Sequence, residues 1–377
     1  MKTSTSLVRK TRLIAGLLVA STLVTQHVQA QTYTVVELSP SSVVSLANTI
    51  AGGVAGGSSI YAVSPVAQRA HATLWSNLGQ SDLNPAFLED NLNGIYGTST
   101  VLSSTDTLQV GWGYGPTLQN RYAPVAWNGT ANTARMLGIP FTNAGGQALA
   151  TDGKQIVGYG TSLNKDGTTI GATHAVVWDA ATEQPVDLGD GGNGAQALGV
   201  GGGQQVGYII KATQNAALWT GSAKSLVVLH PQNAQASALS GTDGVHQVGW
   251  SNYSIRVRNE AANGNKTKTF AYATVWTGTA ASAATIHPYP FTHSYAKEIN
   301  GPWIVGYATE EFNTGTPSIN HAIAWDSAYQ ATDLNAFLPT QFVGAQALSL
   351  DNQGNIAGVA FTADGFRHAV IWIINPV

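Results

Sequence analysis

From residue 31 onward the apolar residues come in runs of four to six, rich in Val, Ile, Ala and aromatics, and Gly, Asn, Asp and Pro interrupt them. The spacing of an amphipathic helix is almost entirely missing, so the pattern predicts short strands joined by turns. One strand recurs. Its clearest copies are His174-Ala175-Val176-Val177-Trp178, His321-Ala322-Ile323-Ala324-Trp325 and His368-Ala369-Val370-Ile371-Trp372. Looser copies end at Trp75, Trp127, Trp219 and Trp276, and successive Trp residues stand 52, 51, 41, 57, 49 and 47 apart. A second strand keeps step with it, as in Ile156-Val157-Gly158-Tyr159, Gln205-Val206-Gly207-Tyr208 and Gln247-Val248-Gly249-Trp250. Its glycines read as Gly56, Gly111, Gly158, Gly207, Gly249, Gly306 and Gly358. Four strands repeating every 40 to 50 residues or so predict a β-propeller.

Each unit divides into four strands. The first is Ala-rich: Gln147-Ala148-Leu149-Ala150, Gln196-Ala197-Leu198-Gly199 and Gln346-Ala347-Leu348-Ser349. The fourth is short: Ser81-Asp82-Leu83, Val186-Asp187-Leu188 and Thr332-Asp333-Leu334, with degraded forms at Met136-Leu137, Val228-Leu229 and Thr285-Ile286. First and second strands join by tight turns such as Asp152-Gly153, where Gly supplies positive φ. Third and fourth strands also join by short turns. The second-to-third connections vary, with Gly-to-Trp separations from 12 to 27. Alternate connections of an antiparallel blade lie on one face, so the variable loops share a face and the tight turns share the other. Residues 33–38 read as a fourth strand without the three before it, and the last unit stops at Trp372. The expectation is an all-β, seven-bladed β-propeller of four-stranded antiparallel blades, filling residues 31–377, its ring closed by the N-terminal strand so that no edge is left unpaired.

The His-Ala-x-x-Trp strands, the stretch Asp333-Leu334-Asn335-Ala336-Phe337-Leu338-Pro339 and the hairpin Asp351-Asn352-Gln353-Gly354-Asn355-Ile356-Ala357-Gly358 carry a resemblance. Over residues 33–374 the chain resembles the HAF-repeat extracellular proteins of bacteria. The resemblance implies secretion and a repeat β fold, and implies no reaction. The copies are uneven, with Ala123, Asn215 and Tyr272 standing where others have His.

Composition narrows the picture. Residues 1–30 read as a secretory signal peptide: Lys2, Arg9, Lys10 and Arg12 precede an apolar core over 13–24, and Val28-Gln29-Ala30 precedes a cut at Gln31. The expected location is periplasmic or extracellular. That apolar core is too short to span a bilayer, and no later apolar run reaches the necessary length. Losing the leader's four basic residues takes the formal net charge from −3 to −7, which argues against a nucleic-acid partner. Cysteine is absent, which excludes disulfides, thiolate catalysis and cysteine metal sites.

The candidate chemistry is sparse. His71, His174, His321 and His368 recur at one repeat position, so in a closed ring they stand in different blades and cannot share a metal. His230 and His287 also match each other and read as structural. Asp82, Asp187 and Asp333 recur in the fourth strand and read the same way, as turn caps. The repeat Trp residues read as core, and Trp112, Trp250 and Trp303 lie outside that repeat and suit carbohydrate stacking better, although packing between blades remains the simpler account. No phosphate loop or nucleophile elbow is present, and no metal or cofactor is expected.

Two groups remain as candidate ligand-binding residues. Gln147, Gln196, Tyr295 and Gln346, with Ser237, precede the first-strand Ala and would converge on the central channel. Arg256 and Arg258 lie in the longest connection, Gly249 to Trp276. The reading is a monomeric binding or surface-interaction module for a polar or anionic ligand, such as a glycan or cell-surface polymer. Alternatives are an exported glycan hydrolase or lyase acting at the channel mouth and a structural envelope protein.

Overall fold

The computed structural model describes residues 31–39, 44–64, 67–90, 94, 96–164, 166–168, 170–259, 264–310 and 319–375. The leader segment, residues 1–30, lies outside them. Among the described residues no helix is long and apolar enough to cross a membrane.

The described residues between 32 and 375 form a seven-bladed β-propeller of four-stranded antiparallel sheets. The first strands of the blades are Ser45–Ala51, Thr98–Ser104, Asn143–Thr151, Ala195–Gly201, Ala236–Thr242, His293–Asn300 and Phe342–Leu350. They touch one another in succession around the ring and are innermost. The seventh blade is completed by Tyr33–Glu37, labelled β1, which pairs antiparallel with Arg367–Ile374 from Tyr33↔Ile374 to Glu37↔Val370. The ring is therefore closed by the N-terminal strand, as the pattern predicts.

A β-bulge interrupts every innermost strand. The extra residues are Asn48, Leu102, Leu149, Leu198, Ser240, Lys297 and Leu348. The bulge explains the second-strand glycine. Just before it a carbonyl leans over the neighbouring strand, so a Cβ on Gly158 would meet Gln147 O at 2.0 Å, and one on Gly207, Gly249, Gly306 or Gly358 would meet its counterpart equally closely. In the first blade the residue in this position is Gly57, where a Cβ would lie 1.8 Å from Leu46 O. This corrects the sequence assignment of Gly56, which is displaced by one residue because Gly56-Gly57 offers two candidates.

Between blades the repeat Trp rings fill the gaps. Six of the seven are fully buried and Trp75 is nearly so. Several indoles donate to a carbonyl of the preceding blade: Trp127 to Leu83 O at 2.9 Å, Trp276 to Leu229 O at 2.9 Å, Trp325 to Ile286 O at 2.8 Å and Trp372 to Leu334 O at 3.2 Å, whereas the buried Trp219 N–H has no partner among the described residues. Burial and the polar handle thus act at one place.

The signature His and the fourth-strand acid are partners. His71 meets Asp82 at 2.8 Å, His174 meets Asp187 at 3.1 Å and His321 meets Asp333 at 2.7 Å. His368 meets Glu37 of β1 at 2.7 Å, so the same pair fastens the two ends of the chain. Asp333 pushes the His321 imidazole upward from its ordinary value. The acids also cap turns, since Asp187 accepts from Gly189 N–H and Asp333 from Asn335 N–H. Where Ala123, Asn215 and Tyr272 replace His, the facing fourth-strand positions are Met136, Val228 and Thr285, and the acid is gone too.

His230 and His287 serve the fourth and fifth blades instead. Ser237 Oγ accepts from Ala216 N–H at 2.9 Å and bonds His230 Nδ1 at 2.8 Å, while His230 Nε2 donates to Ala234 O at 3.1 Å. His287 repeats this with Ser294 and Phe291, both at 2.7 Å. Burial holds His287 below its ordinary pKa, and its neutral imidazole, donating from Nε2, accepts at Nδ1.

Candidate functional site

The innermost strands enter from the face of the variable connections and run toward the tight turns. Their bulges mark a change of lining along the channel.

On the tight-turn side, residues from all seven blades enclose a cavity of about 300 Å³. Its wall is made by the bulged residues and those just after them, with four leucines, Leu102, Leu149, Leu198 and Leu348, and two charged side chains, Lys297 and Glu298. Around this level, side-chain oxygens accept amides from the next blade: Thr49 from Ser104 N–H at 3.0 Å, Ser103 from Thr151 N–H at 3.1 Å and Ser349 from Ile50 N–H at 3.2 Å. Glu298 holds the equivalent place and accepts from Leu350 N–H at 3.0 Å, with a second bond from the Ser349 hydroxyl. Burial outweighs those bonds and the Glu298 carboxyl is pushed up to about 7. Burial also pushes the Lys297 ammonium down from its ordinary value.

On the variable side of the bulge, a different surface is exposed. The residue after the second-strand glycine is Trp112, Tyr159, Tyr208, Trp250 or Tyr307 in blades two to six. Each is half-buried, although the Val and Gly before it are fully buried. The rings adjoin: Trp112 packs edge-on to Tyr122 at 5.1 Å, Tyr114 lies 4.9 Å from Tyr122, Trp250 packs edge-on to Tyr295 at 6.2 Å, and Tyr295 stacks on Tyr307 at 5.0 Å. Burial, with smaller contributions from Tyr122 and Tyr208, pushes the Tyr159 phenol up. Tyr307 is pushed up to about 12 by burial and its neighbour Tyr295. These phenols remain neutral hydrogen-bond donors.

Gln147, Gln196, Tyr295 and Gln346 stand beside this arc rather than in the wall of the cavity. They pair across the first ladder with Tyr159, Tyr208, Tyr307 and Val359 and are half-buried. Ser237 does not belong with them. Ala238 faces Trp250, so Ser237 is one residue out of step, committed to the bond network with His230. Trp112 and Trp250 belong to the arc. Trp303 stands at the opposite, tight-turn end of its strand and packs against the apolar core of the sixth and seventh blades.

Arg256 and Arg258 do not lie in an open loop. The connection from Gly249 to Trp276 is largely a ladder: Gln247–Asn259 and Gly264–Trp276 are 13-residue strands paired from Gln247↔Trp276 to Asn259↔Gly264. Thr-rich and Val-rich alternation, with aromatics at Tyr253, Phe270 and Tyr272, suits a strand better than a coil. The expected loop is thus an extended hairpin on the variable face. Arg256 is exposed opposite Thr267, and Arg258 lies opposite Asn265. Alternation places Arg256 on one face of the hairpin and Lys266 and Lys268 on the other.

The bulged residues were legible as the Leu that follows the small residue in Ala148-Leu149, Ala197-Leu198 and Ala347-Leu348. That recurrence signals a repeat position, but not its direction.

No protein-family model and no curated protein matches this chain. Among solved structures it is similar to the Pyrococcus horikoshii acylaminoacyl peptidase, with a TM-score of 0.52 and 10% identity over 88% of this chain and 52% of that one. It is similar also to an acylaminoacyl peptidase in complex with Z-Gly-Gly-Phe-chloromethyl ketone, with a TM-score of 0.51 and 9% identity over 91% of this chain and 52% of that one. The chain spans about half the length of these peptidases. At such identity the likeness is one of fold.

Proposed function

We propose that this protein is an exported binding module that takes a neutral or weakly anionic glycan on the variable face of its propeller. The observation that carries the reading is the half-exposed aromatic arc Trp112, Tyr159, Tyr208, Trp250 and Tyr307, flanked by Gln147, Gln196, Tyr295 and Gln346. Sugar rings offer apolar C–H faces that stack on aromatic side chains, while their hydroxyls exchange hydrogen bonds with amides and phenols. The extended hairpin bearing Arg256 rises from the same face and adds positive charge beside the arc. A hydrolase would need an acid and a base or nucleophile at a defined separation, and the arc supplies aromatic and amide groups instead. Export rests on the basic and apolar pattern of residues 1–30, and the resemblance to HAF-repeat proteins points the same way.

The test is a glycan and polysaccharide binding screen on the secreted protein, followed by titration of the best ligand. Replacing Trp250 or Tyr208 with Ala is expected to weaken that ligand about tenfold or more, in keeping with loss of one aromatic contact. Arg256→Ser with Arg258→Ser should weaken anionic glycans more than neutral ones. Changes at the tight-turn face, such as Asp152→Ala, should leave binding intact. Binding that survives the aromatic changes and fails with Asp152→Ala would overturn the reading.

A further inference from the structure

The cavity on the tight-turn side is built from different residues and raises a separate question. Among the described residues its charged wall residues are Lys297 and Glu298. Glu298 is already occupied by Leu350 N–H and the Ser349 hydroxyl, the same inter-blade duty that Thr49 and Ser103 perform in other blades. Among the described residues no ion pair joins Glu298 to Lys297. Among the described residues no acceptor bonds Lys297. Lys297 is half-buried in the cavity wall, and an anion in the cavity would give its ammonium the partner that the protein does not supply. The rest of the wall is unusual for an ion site, because Leu102, Leu149, Leu198 and Leu348 turn the bulges of four blades into an apolar belt. About 300 Å³ is far more room than a single water or halide fills.

We propose that the central cavity is a site for a small monocarboxylate, its carboxylate held by Lys297 and its alkyl body packed against Leu102, Leu149, Leu198 and Leu348. One cation selects a single negative charge over phosphate or a dicarboxylate. The leucines select a carboxylate with a short hydrocarbon chain over chloride.

The experiment uses the whole secreted protein, titrated at constant ionic strength with acetate, butyrate, hexanoate, butyramide and chloride. Binding is read by thermal shift and by the 13Cε resonance of Lys297 in lysine-labelled protein. Carboxylates should raise the melting temperature and move that resonance, each added methylene tightening binding by about fourfold until the cavity is full. Butyramide and chloride should do neither. Lys297→Met should abolish the response to butyrate and Lys297→Arg should retain it. An equal response to chloride, an equal response to butyramide, or unchanged butyrate binding in Lys297→Met would each overturn the proposal. Should Lys297→Met fail to fold, the unlabelled-ligand series on the native protein decides through the 13Cε shift alone, since a resonance that butyrate leaves in place excludes contact.

Discussion

The second-strand glycine has one physical cause in all seven blades. It yields space to a carbonyl that the neighbouring bulge has displaced, and the obstacle is backbone, which cannot swing away. Gly158→Ala, with a Cβ placed 2.0 Å from Gln147 O, must push two strands apart. The expected cost is about 3 kcal/mol, at the upper end of ordinary overpacking. Gly138→Ala is the control, since nothing lies within 4 Å of a Cβ there. Urea unfolding of both variants checks the claim, and equal midpoints would refute it. The same position shows how far single residues were legible. The Val-Gly-aromatic run announces a conserved geometry within the chain, but Gly56-Gly57 cannot be resolved without the ladder that pairs Gly57 with Ala47.

At the scale of elements, blades are joined by side-chain oxygens that accept the next blade's amides, and Glu298 is the ionisable member in the cavity wall among the described residues. Its folded pKa, about 7, lies above its ordinary value of 4.5. Between those values the folded protein holds a proton that the unfolded chain has released. This contribution is therefore complete below about pH 4.5 and is lost as pH rises through 7. The loss is about 2 kcal/mol, allowing for the partial access of water to the cavity. Denaturant midpoints of the native protein and Glu298→Gln, measured from pH 4.5 to 8, should converge at the acid end and part at the alkaline end, with the native protein falling further. A constant difference across that range would count against the assignment. The extended hairpin belongs to this scale as well. Its length read as a loop because Gly-to-Trp spacing counts residues without distinguishing a ladder from a coil.

For the molecule as a whole, closure depends on β1. It contributes a row of backbone bonds, the buried Tyr33, and Glu37 against His368. Deleting residues 33–38 uncovers Arg367–Ile374 as an edge strand and removes Leu38 from the cluster around Trp75. A lower melting temperature and concentration-dependent aggregation are expected, by calorimetry and light scattering. An unchanged melting curve would show that the ring does not need the strand. Much of this architecture is local information repeated: strand content, seven blades, Trp as filler and the closing strand all follow from periodicity within the chain, whereas the pairing of the recurrent His with the fourth-strand acid is seen only in the structure. The lining of the channel does not. Simple alternation would put Gln147 and Leu149 on one face, but the one-residue bulge at Leu149 breaks the alternation, and only Leu149 lines the cavity. The cavity wall, the unpartnered Lys297 and the arc from Trp112 to Tyr307 exist only once seven inner strands, far apart in sequence, are drawn around one axis.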